Sequence, residues 1–201
     1  MKRLMAGPSP FVRKVLVLLY ETEQVDDVET VTVTAAPGGA DATLKAANPV
    51  GKIPALVRDE GPTLYDSRVI TRYLNDRAGA DLYPLQGQWE VLALEATADA
   101  LMEAAVLMVY EKRFRDEAQQ SEAWIEAQWV KVEGALDARK ARWMSHLAGP
   151  MDVGHIGVGC ALAYLDFRHG DRDWRKGRDA LANWYERFAA RPSMQATAPV
   201  G

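Results

Sequence analysis

The hydrophobic pattern of the chain changes period near residue 88, and this change limits the architecture more than any other feature. Up to residue 77, short apolar runs that suit strands alternate with helical stretches. Beyond residue 88 only the helical period remains. Such a change predicts a small α/β domain followed by an all-helical one. The first domain is expected over residues 1–77 and the helical domain over 89–201. Residues 78–88, where two glycines and Pro84 gather, read as the linker.

Taken in order, Arg3-Leu4-Met5-Ala6 reads as a first strand that ends at Gly7-Pro8. Ser9-Pro10 is an N-cap followed by proline at the first helical position. The helix Phe11–Glu21 is apolar nearly all round from Val15 to Tyr20, which implies that neighbours cover it. Glu29–Thr34 alternates Val31 and Val33 with threonine and is a second strand. Ala35–Ala47, with Pro37-Gly38-Gly39, is expected to be a loop with one helical turn. Ile53–Val57 and Thr63–Tyr65 flank Asp59-Glu60-Gly61-Pro62, which is turn chemistry between two strands of a hairpin. Arg68–Arg77 carries Val69, Ile70, Tyr73 and Leu74 at helical spacing. The order is βαβ followed by ββα.

In the second half, Leu94, Ala98, Leu101, Ala105 and Met108 place a long amphipathic helix over about Trp89 to Asp116. Ile125, Trp129, Val132 and Leu136 mark another, expected to reach His146 before Gly149-Pro150. Ile156, Cys160, Ala163 and Phe167, with Leu162 and Leu165 on the other side, predict a central helix. Leu181, Trp184, Tyr185 and Phe188 mark a last one, stopped by Arg191-Pro192. Asp152 is placed to cap the central helix, but His155 stands where an acidic residue would complete a capping box, so that box is expected to be weak.

The composition closes several functional classes. The 201 residues carry a net charge of −4, and residues 1–77 hold ten basic and ten acidic side chains. No basic cluster interleaves with aromatics, which argues against nucleic acid as a partner. The continuous apolar run Val15–Tyr20 is six residues long, far below the roughly 20 of a membrane span, so no membrane association is expected. The one cysteine, Cys160, permits neither an intrachain disulfide nor a Cys-rich zinc site and fits a reducing, cytoplasmic setting. His146, His155 and His169 show no metal-ligand spacing with each other or with Cys160, so no metal is expected.

The candidate binding residues lie in Asn48–Ser67. Pro54, which cannot donate to a sheet ladder, belongs at a strand start or an edge, and such an edge accepts an extended peptide-like ligand. Asp66-Ser67 precedes a helix, whose free N–H groups beside acceptor side chains suit a small zwitterion. On their own, Asp66-Ser67 fit an ordinary helix cap, and Ser9 alone reads first as one.

Three motifs in register give a more specific reading. Ser9-Pro10-Phe11 after strand one, Asn48-Pro49-Val50-Gly51-Lys52-Ile53-Pro54, and Asp66-Ser67 resemble the thioredoxin-like half of cytosolic glutathione transferases. The helical half, with its closing Trp184…Arg191-Pro192-Ser193, resembles their C-terminal domain. The likeness spans essentially the whole chain. It is nearest to the bacterial Ser-Pro-Phe-Val-Arg-Lys type and more distantly similar to the plant tau class.

The resemblance implies glutathione as co-substrate, with Ser9 as the catalytic residue that stabilises its thiolate. It implies a cis Ile53–Pro54 bond that turns the Ile53 backbone toward the cysteinyl residue. Lys52 would meet the glycyl carboxylate, Ser67 the γ-glutamyl carboxylate and Asp66 the ammonium. It further implies a homodimer and a small hydrophobic electrophile received by the helical domain, where Met102, Met108 and Tyr110 could line the pocket, although such a Met and aromatic stripe more commonly forms plain core. Asp99 is a candidate to reach the ammonium from a partner subunit. Serine rather than cysteine at position 9 excludes a mixed disulfide with glutathione. Pro8 stands where relatives often carry a polar residue, and Asp66 is one methylene shorter than their usual Glu. Two rivals share the fold. One is a glutathione-dependent isomerase of the zeta type, sharing Ser9 and Arg13 but lacking its dense serine run. The other is a non-catalytic glutathione-binding or adaptor protein.

Overall fold

In the computed structural model, which describes residues 1–36, 38–138 and 143–199, the N-terminal part is built on a three-stranded sheet. Strand β1 (Lys2–Met5) is central. It pairs in parallel with β2 (Glu29–Thr32), Lys2 opposite Glu29 and Met5 opposite Thr32. A parallel pair needs a crossover, and the helix α1 (Pro10–Glu21) supplies it. Two-residue strands β3 (Ala35–Ala36) and β4 (Gly39–Ala40) pair with each other. The helix α2 (Ala42–Ala47) follows, so the expected loop carries more structure than its composition suggests; Pro37 lies outside the described residues. The strand β5 (Ala55–Val57) runs antiparallel to β1, with Ala55 opposite Leu4.

The expected hairpin is shorter than its apolar runs. Ile53 and Pro54 lie outside β5, and the second strand reduces to a single bridge in which Leu56 and Leu64 exchange both backbone bonds at 2.9 Å. Pro54 and Pro62 have no N–H to extend the ladder. Between them Gly61 takes φ +80°, a conformation only glycine adopts at no steric cost, while Arg58 Nε donates to Pro62 O at 3.0 Å.

The helix α3 (Ser67–Ala78) completes this part and ends at Gly79, which sits in the left-handed region. One face of the sheet is sealed by Leu4, Val33, Leu44 and Ala55. Helix α1 is covered almost all round, as its sequence predicts: Val12, Val15, Val17, Leu18 and Leu19 are buried, and so are Arg13 and Lys14.

The chain divides into two compact units, Met1–Pro84 with the residues from Pro192 onward, and Leu85–Arg191. Two stretches therefore lie elsewhere than the sequence reading places them. Leu82 and Tyr83, assigned to the linker, are buried on α3, where Leu82 N–H donates to Asn75 Oδ1 at 2.9 Å and Tyr83 Oη meets Thr71 Oγ1 at 2.7 Å. The helix α9 (Pro192–Ala196), assigned to the helical domain, packs on α1. Buried Arg13 holds it there, donating from Nη2 to Met194 O at 2.9 Å and from Nε to Thr197 Oγ1 at 3.3 Å.

The second unit is all helical: α4 (Gln88–Phe114), α5 (Glu122–Ala138), α6 (Met144–Leu147), α7 (Val153–Arg168) and α8 (Asp179–Ala189). Residues 139–142, through which one helix was expected to run on to His146, lie outside the described residues. Helix α7 is central, buried continuously from Val153 to Leu165. Glycines let α4 come close to it: a Cβ on Gly157 would stand 3.1 Å from Ala98 Cβ, and one on Gly154 2.8 Å from Leu94 Cδ2. The whole is a thioredoxin-like α/β domain followed by a helical domain.

One expectation about α7 fails. The capping box at its start is complete, because His155 N–H donates to Asp152 Oδ1 and Asp152 N–H donates to His155 Nδ1, both at 3.2 Å. An imidazole nitrogen accepts the bond that a carboxylate would otherwise take. His146 Nε2 lies 2.6 Å from the other carboxylate oxygen.

Candidate active site

The site is assembled by strand direction. Chain leaving β1 after Met5 reaches Ser9, whereas chain entering β5 before Ala55 is Ile53-Pro54, and Leu4 lies opposite Ala55. Because β5 is antiparallel to β1, both segments emerge at one end of the sheet. Leu64 is bridged antiparallel to Leu56, so chain leaving it, Tyr65-Asp66-Ser67, heads to the same end. Three stretches far apart in sequence thus meet where the first turns of α1 and α3 begin.

Ser9 is the N-cap of α1, half-buried, with its Oγ accepting the Val12 N–H at 3.4 Å. That contact is longer than an ordinary hydrogen bond. It also uses the oxygen only as an acceptor, so the hydroxyl proton is left to donate elsewhere. The two readings of Ser9, cap and donor, are therefore compatible in one side chain.

The Ile53–Pro54 peptide bond is cis, and so is Tyr65–Asp66. Among the described residues no backbone hydrogen bond uses the N–H or C=O of Ile53. The segment before it is shaped by a residue that composition does not single out. Asn48 is buried, donates from Nδ2 to Lys52 O at 2.8 Å and accepts the Val50 N–H on Oδ1 at 3.0 Å. It closes the turn that presents Lys52, whose side chain is exposed and forms no ion pair among the described residues.

Asp66 caps α3, accepting the Arg68 N–H at 3.0 Å on Oδ1, while Arg68 Nη2 donates to Oδ2 at 2.8 Å. Burial alone would push its carboxyl up. Bonds from the Arg68 side chain and backbone outweigh this, and the charges of Arg68 and buried Lys14 add to them, holding the group below the usual carboxylate range. The carboxylate is thus ionised but already shared with Arg68, a partner two residues away that no sequence motif marks. Ser67 is buried at the first position of α3.

Arg13, considered for the rival isomerase, has its guanidinium engaged with Met194 and Thr197. Cys160 is fully buried in α7. The histidines show no ligand spacing in sequence, yet the ligand atoms of His146, Asp152 and His155 lie within 4.8 Å of one another. Their bonds are those of the α7 cap, which accounts for the cluster. A cleft of about 460 Å³, lined by residues that include Met1, Arg58, Asp59 and Tyr73, lies beside the start of β1 and the end of β5. That is the other end of the sheet from Ser9, and the cleft holds none of the candidate residues.

Known proteins resemble this chain in both of its parts. Residues 8–77 match the family model of the glutathione S-transferase N-terminal domain, and residues 122–187 that of the C-terminal domain. A glutathione transferase family member from Pseudomonas fluorescens Pf-5, solved with bound glutathione, is 43% identical with a TM-score of 0.96, over 100% of this chain and 99% of that one. A second structure of a family member from that organism holds S-(propanoic acid)-glutathione and is 41% identical with a TM-score of 0.91, over 100% of both chains. The GST-like protein YibF of Escherichia coli (strain K12) is 32% identical over 99% of this chain and 98% of its own length. The chain belongs to the glutathione S-transferase family. No helix among the described residues is long and apolar enough to cross a membrane.

Proposed function

We propose that the protein is a cytoplasmic, homodimeric glutathione transferase that binds glutathione at the common end of β1 and β5 and activates its thiol with Ser9. The observation that carries this reading is the convergence there of the Ser9 hydroxyl, the unpaired Ile53 backbone and the first turn of α3. Ile53 would pair its N–H and C=O with the cysteinyl residue, as a strand added to an edge. The first-turn N–H groups of α3 and the Ser67 hydroxyl would take the γ-glutamyl carboxylate, and Asp66 the ammonium. Lys52 would face the glycyl carboxylate as a point charge.

A thiol has a reference pKa near 8.5, so little thiolate exists at neutral pH without help. A hydrogen bond from Ser9 to sulfur and the positive end of α1 both favour the ionised form. The thiolate then attacks an electrophilic carbon, the new C–S bond replacing a leaving group or adding across an activated double bond. Support comes from relatives that hold glutathione, one of them as an S-substituted form. The helical unit would supply the surface for the electrophile.

The test is calorimetric titration with glutathione, combined with the ultraviolet thiolate signal in wild type and Ser9→Ala. No binding at millimolar glutathione defeats the reading. Binding without transfer to any of a panel of electrophiles leaves the non-catalytic alternative.

A further inference from the structure

The cleft of about 460 Å³ beside the end of β5 is formed within the Met1–Pro84 unit and carries charges of both signs. Arg58, Asp59 and Glu60 come from the turn after β5, Tyr73 and Arg77 from α3. The guanidinium of Arg58 is fixed on three sides. Its Nε donates to Pro62 O at 3.0 Å, its central carbon lies 5.2 Å from the centre of the Tyr73 ring, and a Cβ on Gly61 would stand 2.5 Å from Nη2. Only glycine at position 61 leaves the fork that place. Its two outer nitrogens, Nη1 and Nη2, bond to nothing among the described residues. A fork held in this way has little freedom left to lose on binding.

The other charges of the cleft are mostly engaged. Arg77 bonds to Asp27 at 2.8 Å and to buried Gln24, and Asp59 lies 3.4 Å from the Met1 ammonium. Arg58 and Glu60 remain, and among the described residues no ion pair joins them. The charges are also layered. Arg3, two residues from Met1, is 3% exposed with Nε and Nη1 unpartnered, and burial pushes it down only to about 10, so it stays charged at neutral pH. Arg58 is half-buried, whereas Asp59 and Glu60 are exposed. Positive charge thus lies deeper than negative. A simple anion would face the carboxylates of Asp27, Asp59 and Glu60, and a simple cation the guanidiniums. An uncharged molecule would take water from both without replacing it. A small molecule that carries both signs meets none of these costs.

We propose that this cleft binds a free α-amino acid, its carboxylate on the Arg58 guanidinium and its ammonium toward Glu60. A guanidinium fork matches a carboxylate in two-point geometry. The ammonium lies nearer solvent and gains less, as exposed ion pairs do. The volume of about 460 Å³ falls within the roughly 300–1,000 Å³ of small-molecule sites. The site is at the other end of the sheet from Ser9 and is independent of the transferase reading.

The test titrates the isotope-labelled full chain, without glutathione, with each coded L-amino acid at millimolar concentration and follows the amide NMR signals. At least one is expected to shift Gly61 and Tyr73. Its carboxamide should bind at least about tenfold more weakly, and its N-acetyl form about threefold. Arg58→Gln should erase the advantage over the carboxamide, and Glu60→Gln the advantage over the N-acetyl form. Gly61→Ala keeps every charge but crowds Nη2, so it should weaken binding as well. Lys2→Gln, which removes an exposed cation of β1, should bind as the wild type does. The amide spectrum itself shows whether each variant is folded. The site is overturned if no amino acid moves these signals, if the shifts gather at Ser67 instead, or if Arg58→Gln or Gly61→Ala keeps wild-type affinity. An equal loss in Lys2→Gln overturns it too. A parallel glutathione titration, followed at Ser67, reports on the transferase reading separately.

Discussion

Replacing Ser9 with alanine separates the two jobs the side chain can do. As a cap, its bond to Val12 N–H is 3.4 Å long, so the loss of helix stability should fall at the low end of the capping range, about 0.5 kcal/mol. As a donor to a bound thiolate, it makes a hydrogen bond to a charged group, worth roughly 1.5–3 kcal/mol. At 1.36 kcal/mol per pKa unit, that bond lowers the thiol by about one to two units. Ser9→Ala should therefore raise the pKa of bound glutathione by that amount. Below both pKa values the thiolate fraction, and with it kcat, should drop about ten- to a hundredfold. Above both values the two proteins should converge. The assay is the thiolate absorbance and the rate, each followed against pH at saturating glutathione, with Ser9→Thr as the variant that keeps the hydroxyl. If bound glutathione titrates at the same pH in wild type and Ser9→Ala, Ser9 is a cap and nothing more.

Four further outcomes follow from the same geometry. Lys52→Met should weaken glutathione binding by about three- to tenfold at low salt and flatten its salt dependence, measured by calorimetry, because this ammonium is exposed and acts through charge. Asp152→Ala should destabilise the chain by about 2 kcal/mol in urea titration, since it removes the α7 cap and the contact with His146. The pH dependence of this contribution has a definite sign. Burial pushes the Asp152 carboxyl up, but the side chains of His155 and His146 outweigh it and hold the group below its ordinary value, His155 Nδ1 lying 2.9 Å from Asp152 Oδ1 and donating to it when the ring is protonated in acid. The stabilisation is therefore complete above about pH 4 and lost as pH falls through the folded-state value, so the mutant and wild-type stabilities should approach each other in acid. Arg13→Met should cost about 2 kcal/mol and speed proteolysis at the C-terminal end, because it leaves the Met194 carbonyl without its donor.

Much of the fold could be read from periodicity, because long stripes such as Leu94-Ala98-Leu101-Ala105-Met108 repeat one geometric demand many times. The failures lie where a single local group decides. Two prolines shortened the hairpin, since the donors they lack are invisible in an apolar count. The segment beyond Arg191 left the helical half because buried Arg13, 181 residues upstream of Met194, bonds to it. No periodic pattern carries that information. His155 is a base where an acid usually stands, yet the box needs only a lone pair three residues after the cap.

The site shows the same division between what repeats and what is singular. Ser9, Ile53-Pro54 and Asp66-Ser67 could be singled out because each stands at a boundary between element types, and antiparallel pairing of β5 with β1 brings those boundaries to one end of the sheet. The electrostatic state of the site could not be read that way. Asp66 faces Arg68 across a side-chain bond of 2.8 Å, so both its oxygens are occupied before any ligand arrives. An incoming ammonium must share the carboxylate with that guanidinium or displace it. On the proposed reading, the competing arginine is expected to weaken the ammonium contact. On that same glutathione-binding reading, the affinity for a γ-glutamyl group is then expected to come chiefly from the carboxylate side, from the first-turn N–H groups of α3 and Ser67.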